Sequence, residues 1–530
     1  MTLARGDWYF MLFALIMGFF MARPYLYAVQ QDNYRVSEIF HSRRIRMAYV
    51  TDLVCVLIFG GIWTGCYFLS SRIFWGFLTS LFFCIAEIAL YFVEETPRKK
   101  KPFRYTKRAV RGLVAVAVCS AAAVTAAIAL INAHVEDGYL RYPVFFGLSL
   151  VFPLLFAAVL SVVNVFERLN NLRYEKRTRK ALRADRDLIR IGITGSYGKT
   201  SVKNALYAML AVRFNVLATP ESYNTPMGIA KTVKNLDATH DIFIAEMGAR
   251  RRGDIGRLMR LVRPSHTILT GVNDQHLETF GSREAILREK LKILDVRAED
   301  GICIVNDSLS EVPRVADDRN GNIVLAGKEE SSPVRYSDVA VCDNGSVFTL
   351  WLYGTRIECM TSLLGVHNIE NLTLAAGMAF RFGISPEQIR DVIAEIRPVP
   401  HRLQLIEGNG IRIIDDTFNS NPDGARRALE VLALFSGRKV VVTPGMVELG
   451  AAEEEENAAL GRMLAQVADM VMLVGGKRTK AIGRGLKEGG FQGDTRVYAT
   501  LEEAEAAFKE TLHVGDVLLL LNDLPDCYDD

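Results

Sequence analysis

The sequence lacks paired cysteines. Its 530 residues contain eight cysteines, and no two of them are spaced as Cys-x-x-Cys. Paired cysteines at fixed spacings are typical of zinc sites and disulfide frameworks, so neither is expected, and the sequence suits a reducing cytosol. Four of the eight, Cys55, Cys66, Cys84 and Cys119, lie in apolar segments, where cysteine behaves as a small hydrophobic residue.

A large excess of charge of one sign is also lacking. The formal net charge is +3 at pH 7, so bulk charge indicates neither nucleic-acid binding nor an acidic partner. The sequence has no internal repeat and no low-complexity tract. Its length is sufficient for roughly three to four domains with substantial cores.

Long apolar runs, by contrast, fill the first third of the chain. Five of them occur, at Trp8–Tyr27, Ala48–Leu69, Ile73–Val93, Ala109–Ile131 and Val144–Phe166. Each approaches the ~20 residues that a helix needs to cross the hydrocarbon layer of a bilayer. A cleavable signal peptide accounts for one such run and not for five. Residues 1–168 are therefore predicted to form a membrane domain of about five transmembrane helices, with the first run interrupted by Arg23 and Pro24.

The charges between the runs predict an orientation. Segments 43–46, 98–111 and 168–190 are rich in Lys and Arg, whereas segment 134–138 is short and acidic. Because cytoplasmic loops carry the excess of Lys and Arg, the N-terminus is predicted to lie outside and everything after Phe166 in the cytoplasm. The predicted location is the cell membrane, as a multi-pass protein.

Two features of this membrane part invite a functional interpretation. Residues 169–187 are highly charged and contain no Gly or Pro, which predicts a helical connector whose basic face lies near anionic lipid headgroups. Arg23, Asp52 and Glu87 are ionisable residues inside the predicted spans, where charge is expensive. They are expected to form interhelical ion pairs or reach the headgroups; a polar pocket for a lipid-linked headgroup is the alternative.

A glycine-rich turn follows the connector. Leu188–Ile193 has strand character, Val202–Leu210 has helical character, and Thr194-Gly-Ser-Tyr-Gly-Lys-Thr-Ser201 lies between them. This order places backbone N–H groups and a helix N-terminus around phosphates. Lys199 is expected to reach the β- and γ-phosphates of a nucleotide, and the Thr200 hydroxyl to bind Mg²⁺.

The turn departs from the generic phosphate-binding pattern. That pattern has a glycine five residues before Gly198, and this chain has Ile193 there. The form Thr-Gly-Ser-x-Gly-Lys-Thr-Ser instead resembles the Mur ligase family, which joins amino acids or peptides to peptidoglycan precursors. Further segments similar to that family follow in its order, at 223–228, 243–249, 273–282, Lys290, 365–371, 401–404, 415–422 and 444–450.

Two of these segments indicate which branch of the family the sequence resembles most. Segments 415–422 and 444–450 are most similar to the MurF branch of the family, which adds D-alanyl-D-alanine to UDP-MurNAc-tripeptide. The resemblance extends from about Ile189 to Asp530. It implies ATP and Mg²⁺ as cofactors, a central ATP-binding domain over 188–397 and a Rossmann-like C-terminal domain over 398–530.

The resemblance also implies the site residues. Nucleotide contacts are expected from Gly195, Ser196, Gly198, Lys199, Thr200, Ser201, His367, Asn368, Asn371, Arg402 and Asp416. Metal ligands are expected from Thr200, Glu246, His276 and Lys290, the last as a carbamylated lysine. Catalytic roles are expected for Lys199, His276, Lys290 and Arg402. Substrate contacts are expected from Asn224, Asp415, Asn419 and Asn421.

Each assignment has a structural alternative. The alternative for Glu246 is an ordinary surface carboxylate at a strand end, and the alternative for Lys290 is a position on a solvated helix face. His367 suits a turn residue packed on the domain joint. Asn419 and Asn421 suit a loop before Pro422 on conformational grounds alone.

The expected chemistry is amide-bond formation. A carboxylate does not react with an amine at neutral pH, because hydroxide is a poor leaving group. Transfer of the ATP γ-phosphoryl group gives an acyl phosphate that an amine attacks, and such transfer depends on positioning and charge neutralisation.

Two departures leave the substrate open. Nothing before Ile189 resembles the UDP-binding domain of MurF, and Asp516–Pro525 stands where relatives have a Lys-Gly-Ser turn. The main sheet is expected to end at Asn306-Asp307, with a β-rich insert over Val334–Thr361. The nucleotide is expected between the two α/β domains, whose closure excludes water.

Three functions are therefore compared. The leading prediction is a MurF-like ligase that adds an amino acid or D-Ala-D-Ala to a UDP- or lipid-linked peptidoglycan precursor at the cytoplasmic face of the membrane. A ligase or amidating enzyme on a lipid-linked muropeptide, or on a poly-γ-glutamate-type polymer, is the alternative. A non-catalytic membrane scaffold with a ligase fold is the third. Membrane lipid is an expected partner in all three.

Overall fold

The computed structural model describes most of the chain. The described residues are 8–31, 34, 36, 43–66, 72–94, 105–134, 141–184, 187–273, 277–296, 300–309, 323–418, 421–447 and 449–522. They divide into two compact units, of which the first ends at Leu172 and the second begins at Arg173.

The first unit is helical. Its helices are α1 (Trp8–Gln31), α2 (Arg43–Cys66), α3 (Arg72–Glu94), α4 (Lys107–His134) and the first part of α5 (Arg141–Ala184). Within the described residues, all five predicted apolar runs thus lie on helices, and the end of the second run, 67–69, lies outside those residues. The expectation that Arg23 and Pro24 interrupt the first run is wrong, because α1 continues through Pro24. A proline removes a single backbone donor, which neighbouring groups in a helical bundle can offset.

Three of these helices are long and apolar enough to cross a membrane. They are Trp8–Tyr27, Lys107–His134 and Val144–Ala184, judged on length and composition over the described residues. Asp52–Gly65 and Phe74–Ala89 are shorter apolar helices. The number of spans and their orientation stay predictions.

Apolar side chains lie on both the inside and the outside of this unit. Phe10, Phe83 and Phe145 are fully buried in an aromatic-rich core, while Leu57 and Leu154 are about two-thirds exposed. A helix that is hydrophobic all round belongs either in a large protein core or in a bilayer.

Buried polar groups connect the helices of the first unit. Glu87 and Asp52 are buried, and the Ser149 hydroxyl of α5 donates a hydrogen bond to Glu87 Oε1 of α3 at 3.3 Å. The guanidinium of Arg23 lies 5.2 Å from the ring centroid of Tyr105. The Ser149 contact favours the interhelical interpretation for Glu87, and the headgroup pocket stays a prediction.

The predicted connector is helical. α5 continues without a break to Ala184, and its last two to three turns pack within the second unit. Leu182 is buried in one hydrophobic core with Leu188 and Phe243. The buried Glu175 carboxylate forms an ion pair with Arg257. The connector is therefore held to the following domain by both apolar and ionic contacts.

Nine of the described strands form one sheet, and the domain around it is called the central domain here. The strands are β1 (Ile189–Thr194), β2 (Val216–Ala218), β3 (Ile242–Glu246), β4 (His266–Leu269), β5 (Cys303–Asn306), β6 (Ile323–Gly327), β7 (Val334–Cys342), β8 (Gly345–Leu352) and β9 (Thr355–Thr361). Their spatial order is β2-β3-β1-β4-β5-β6-β7-β8-β9. Strands β1 to β6 pair in parallel and are apolar on both faces, as a parallel sheet covered by helices requires.

The expectation that this sheet ends at Asn306-Asp307 is wrong. β6 adds to β5 in parallel, and β7 adds to β6 before the direction reverses at β8 and β9. The β-rich segment over Val334–Thr361 is confirmed, but it extends the main sheet. The central helices are α6 (Lys199–Leu210), α7 (Pro226–Thr232), α8 (Asp254–Val262), α9 (Leu277–Phe280), α10 (Arg283–Lys290), α11 (Val366–Arg381) and α12 (Pro386–Glu395).

Six further described strands form a second sheet, in what is called the C-terminal domain here. They are β10 (Gln404–Gly408), β11 (Ile411–Asp416), β12 (Lys439–Thr443), β13 (Met470–Val474), β14 (Asp494–Tyr498) and β15 (Val517–Leu521), in the order β10-β11-β15-β12-β13-β14. All pairs except β10–β11 are parallel. The helices are α13 (Pro422–Ala433), α14 (Glu453–Val467), α15 (Lys477–Glu488), α16 (Leu501–Ala506) and α17 (Phe508–Thr511). This open parallel sheet agrees with the Rossmann-like expectation.

Candidate active site

The glycine-rich turn joins β1 directly to α6. Gly198 has a φ of +75°, and a side chain there would also lie against Asn371 Oδ1, so only glycine fits. The Lys199 ammonium donates hydrogen bonds to the carbonyls of Gly195 at 2.8 Å and Ser196 at 3.0 Å. The loop therefore curls around the lysine at the start of a helix, which is the arrangement that accepts phosphates.

A buried carboxylate lies beside this loop. Glu246 ends β3, which is paired with β1 so that Glu246 stands opposite Ile193. Its side chain is 1% exposed. Glu246 Oε2 accepts a hydrogen bond from the Thr200 hydroxyl at 3.0 Å, and Oε1 accepts one from Asn224 Nδ2 at 3.1 Å. The adjacent strand ends thus bring two of the predicted metal ligands together.

These groups fit a magnesium ion. Mg²⁺ prefers oxygen ligands and is usually held by one or two carboxylates together with nucleotide phosphates. Thr200 supplies a hydroxyl oxygen and Glu246 a carboxylate, both buried at the end of the phosphate loop. Asn224 contacts Glu246, and its predicted contact with substrate stays a prediction. His276, the third predicted ligand, lies outside the described residues.

Lys203 is a site residue that sequence reasoning missed. Its side chain is 1% exposed, and its ammonium lies 3.2 Å from Glu246 Oε2 and donates to the Glu221 carbonyl. Burial lowers the pKa of Lys203, and Glu246 opposes that shift. Lys203 follows Lys199 by four residues and so shares its face of α6, but this spacing alone does not place Glu246 opposite it.

Lys290 is brought to the same loop from α10. It is 2% exposed, and its amine donates to the Gly195 carbonyl at 2.9 Å. The interpretation of Lys290 as part of a solvated helix face is therefore wrong. Burial, together with the neighbouring Lys199, holds the pKa of Lys290 well below its usual value, while Glu289 opposes the shift. Burial also lowers the pKa of Lys199 to about 8, against the attraction of Glu246.

The C-terminal domain contributes Arg402 and Asp416. Arg402 Nη2 lies 3.5 Å from the Thr200 hydroxyl, and its guanidinium lies 4.3 Å from the Phe418 ring centroid. Asp416 Oδ1 accepts the backbone N–H of Leu403 at 3.2 Å. Burial raises the pKa of Asp416 to about 6, although the Leu403 N–H and the Arg402 charge favour the carboxylate. The structure thus brings a further cation, Arg402, to the phosphate loop.

A cavity lies between the two domains beside the loop. Ser201, Asn368, Asn371 and Arg402, four of the predicted nucleotide residues, line it together with Pro398. Its position next to the phosphate loop is suited to the nucleoside part of ATP.

His367 does not line that cavity. It lies in the first turn of α11, and burial, helped by the Arg427 charge, lowers its pKa to about 3. The imidazole is therefore neutral at physiological pH. Its predicted contact with the nucleotide stays a prediction.

The predicted substrate residues have structural partners. Asp415 accepts hydrogen bonds from His401 Nδ1 at 2.8 Å and from the Thr417 hydroxyl at 2.7 Å. Asn421 caps α13, since its Oδ1 accepts the Gly424 N–H at 3.0 Å. The conformational interpretation of Asn421 is thus confirmed, and its contact with substrate stays a prediction. Asn419 lies outside the described residues.

Replacing Lys203 tests the electrostatics of this site. In Lys203→Met the Glu246 carboxylate stays buried without its cation, and breaking a buried pair in this way costs about 3–5 kcal/mol. We expect a loss of that size in the unfolding free energy of the purified chain.

The matched control is Lys203→Met combined with Glu246→Gln, which removes both charges. We expect it to regain a large part of the lost stability. Equal losses in the single and double variants would contradict an electrostatic role for Lys203.

Comparison with known proteins agrees with this geometry. Residues 193–379 match the Mur ligase middle domain, and residues 401–522 match the Mur ligase, glutamate ligase domain. The UDP-N-acetylmuramoyl-tripeptide--D-alanyl-D-alanine ligase of Mycobacterium tuberculosis is 30% identical over 353 residues, which cover 62% of this chain and 69% of that protein. The enzyme of the same name from Bacillus subtilis is 28% identical over 332 residues, covering 62% and 72%.

Solved structures show the same relationship. MurF from Acinetobacter baumannii superposes with a TM-score of 0.62 at 25% identity, over 68% of this chain and 78% of that one. MurF ligase from Thermotoga maritima, solved in complex with ADP, has a TM-score of 0.61 at 24% identity, over 68% and 81%, and supports the fold. The chain therefore belongs to the Mur ligase family and is an ATP-dependent peptide ligase.

Proposed function

We propose that the α/β domains ligate an amine to a carboxylate through an acyl phosphate. The observation that carries the proposal is the meeting of Thr200, Glu246, Lys199, Lys290 and Arg402 at one phosphate-binding loop. The acceptor carboxylate takes the γ-phosphoryl group of ATP, ADP leaves, and the amine then displaces phosphate. Each step moves negative charge into a site surrounded by cations.

The cations have separate tasks. Lys199 follows the loop directly. When the nucleotide binds, its ammonium exchanges the hydrogen bonds to the Gly195 and Ser196 carbonyls for contacts with the phosphates. Arg402 reaches the same loop from the C-terminal domain, so its charge arrives only when the two domains approach. Thr200 and Glu246 hold Mg²⁺, which neutralises phosphate charge when it is bound with ATP.

Lys290 is proposed to work as a carbamate. Its burial beside Lys199 favours the neutral amine, which attacks carbon dioxide and releases one proton to solvent. The product is an anion, so the repulsion from Lys199 becomes an attraction. The carbamate then offers oxygen ligands near the loop, together with His276.

The proposed substrates follow from the relatives. We propose D-alanyl-D-alanine as the amine and a peptidoglycan precursor as the carboxylate, because the similar curated proteins carry that activity in their names. Asp415, Asn419 and Asn421 are proposed to lie toward these substrates.

The location is proposed to be the cell membrane, with the N-terminus outside and the ligase domains in the cytoplasm. Three membrane-length helices and the exposed apolar side chains of the first unit support it. A lipid-linked muropeptide, or a poly-γ-glutamate-type polymer, is the second candidate acceptor. The helices that precede the ligase domains favour that candidate. The assembled, buried charges of the site disfavour a scaffold without catalysis.

The pH profile tests the role of Asp416. Its raised pKa means that it gains a proton as the pH falls through about 6, whereas an ordinary aspartate stays ionised there. Protonation removes the charge that faces Arg402. We expect kcat/KM for ATP to fall up to about tenfold per pH unit below pH 6.

Asp416→Asn should flatten this profile, while Asp494→Asn, at an exposed ion pair with Arg496, should keep it. A profile for Asp416→Asn that still bends at pH 6 would assign the titration to another group.

Carbamylation of Lys290 is tested with ¹³C-bicarbonate. We expect a carbamate carbon signal in the full chain that is absent in Lys290→Ala, together with a loss of about 10²–10³-fold in kcat for that variant. Lys292→Ala is the control. Lys292 follows Lys290 by two residues, but it is half-exposed and its ammonium pairs with Glu289. Full activity without bicarbonate, and no carbamate signal, would remove carbamylation from the proposal.

The acceptor is identified with detergent-solubilised full chain, ATP, Mg²⁺, D-Ala-D-Ala and a panel of UDP- or lipid-linked muropeptides. We expect phosphate release and a product heavier by the dipeptide with a muropeptide acceptor, and neither in Lys199→Ala. Release only with lipid-linked acceptors would replace the UDP-linked substrate. No release with any acceptor, and no difference from Lys199→Ala, would favour the scaffold.

A further inference from the structure

We propose that Arg427, Tyr197 and Glu370 form an interdomain clasp that couples the conformation of the phosphate loop to the approach of the C-terminal domain. In this clasp Arg427 is a positioning residue, because it touches the loop and the nucleotide-side helix rather than the reacting groups. The proposal rests on the proposed function only in taking residues 195–200 as the ATP loop.

Arg427 bridges the two domains. It lies on α13 of the C-terminal domain, and its Nη1 donates to Glu370 Oε2 at 3.0 Å. Glu370 lies in the second turn of α11 in the central domain. The two side chains are 20% and 19% exposed, so the pair is much better shielded from water than an ordinary surface pair. The contact exists only while the domains are together.

The same guanidinium touches the phosphate loop. Arg427 Cζ lies 5.1 Å from the ring centroid of Tyr197, the residue between Ser196 and Gly198. A partly desolvated cation is attracted to the electron-rich face of an aromatic ring. The ring covers the backbone of Gly271, where even a methyl group would collide with it. The Tyr197 ring is therefore fixed between the sheet and a cation of the other domain.

Glu370 connects the clasp to the nucleoside cavity. Its Oε1 accepts a hydrogen bond from the Tyr336 hydroxyl at 3.4 Å, which holds the carboxylate on the β7 side. The next residue, Asn371, lines the cavity and lies against Gly198 of the loop. Arg427 thus acts at once on the loop and on the helix that borders the nucleoside.

A second contact lies on the same face of α13. Asn273 Nδ2 donates to Asn421 Oδ1 at 2.9 Å and to Asp423 Oδ2 at 3.2 Å. Asn273 is also tied to the loop, since its N–H donates to the Ser196 hydroxyl at 3.0 Å. The first turns of α13 therefore contact the loop through two independent groups. A shift of either the loop or the domain disturbs both.

The chain offers a closely matched control. Arg426 precedes Arg427 on α13, is half-exposed, and pairs with Glu430 and Asp423 on its own helix. Arg426→Ala removes the same charge from the same turn without removing an interdomain contact. Tyr197→Phe and Tyr197→Leu form a second pair, because phenylalanine keeps the aromatic face and leucine does not.

The experiment uses the full chain in detergent and needs no acceptor. Amide hydrogen exchange of segment 195–210 and the Kd for the non-hydrolysable analogue AMP-PNP with Mg²⁺ are measured for each variant. We expect Arg427→Ala, Glu370→Gln and Tyr197→Leu to exchange about 5–30-fold faster in this segment and to bind AMP-PNP about 5–30-fold more weakly. Arg426→Ala should stay within about twofold of the unaltered chain, and Tyr197→Phe should change both quantities less than Tyr197→Leu does.

The double variant Arg427→Ala/Glu370→Gln should bind AMP-PNP no more weakly, and exchange no faster, than Arg427→Ala alone. The reason is that the two residues act through one contact. Equal behaviour of Arg427→Ala and Arg426→Ala, or effects of Arg427→Ala and Glu370→Gln that multiply, would overturn the clasp. If Arg427→Ala does not fold, the two Tyr197 variants decide, and equal exchange in both would overturn it. Failure of the ATP-site proposal would give a different result. AMP-PNP would then not slow amide exchange in segment 195–210 even in the unaltered chain.

Discussion

The site depends on one buried carboxylate that is surrounded by hydrogen-bond donors. Glu246 is removed from water at the end of β3, yet it keeps a hydroxyl donor, an amide donor and a lysine within hydrogen-bond distance. A buried charge is tolerated only when such partners surround it. Those partners come from α6 and from the turn before α7, so the carboxylate fixes the phosphate loop, the helix after it and the neighbouring turn in one arrangement. The metal-binding chemistry follows from that arrangement.

The local motifs allowed much of this site to be predicted. The glycine-rich turn was predicted from residue type and order. The carboxylate at the end of β3 and the lysine at the end of α10 were predicted from the resemblance to the Mur ligase family, and the structure brings all three together. Parallel strands place their carboxyl ends at one edge, which is why such positions can be inferred from strand order alone. The same reasoning located the strands over 334–361, although not their continuity with the main sheet.

Contacts between distant segments were not predictable in this way. Lys203 looked like an ordinary helix residue until its helix was placed against Glu246, and Arg427 resembled its exposed neighbour Arg426. Their roles depend on which residue of a distant element lies opposite, and a local pattern carries no information about that. Pro24 shows the converse, because a local rule predicted an interruption of the first run at a position where α1 continues.

The place of β15 in the second sheet has a consequence for biosynthesis. It lies between β11 and β12, so it joins the β10–β11 hairpin to the β12–β13–β14 layer. Until Val517–Leu521 has left the ribosome, these two pieces share no strand, and the long-range pairings that unite them form late. Asp416 lies at the end of β11 and Arg402 lies just before β10. Both belong to the β10–β11 hairpin, which joins the rest of the sheet only through β15. The assembly of the sheet that carries Arg402 to the phosphate loop therefore depends on a strand more than a hundred residues further along the chain.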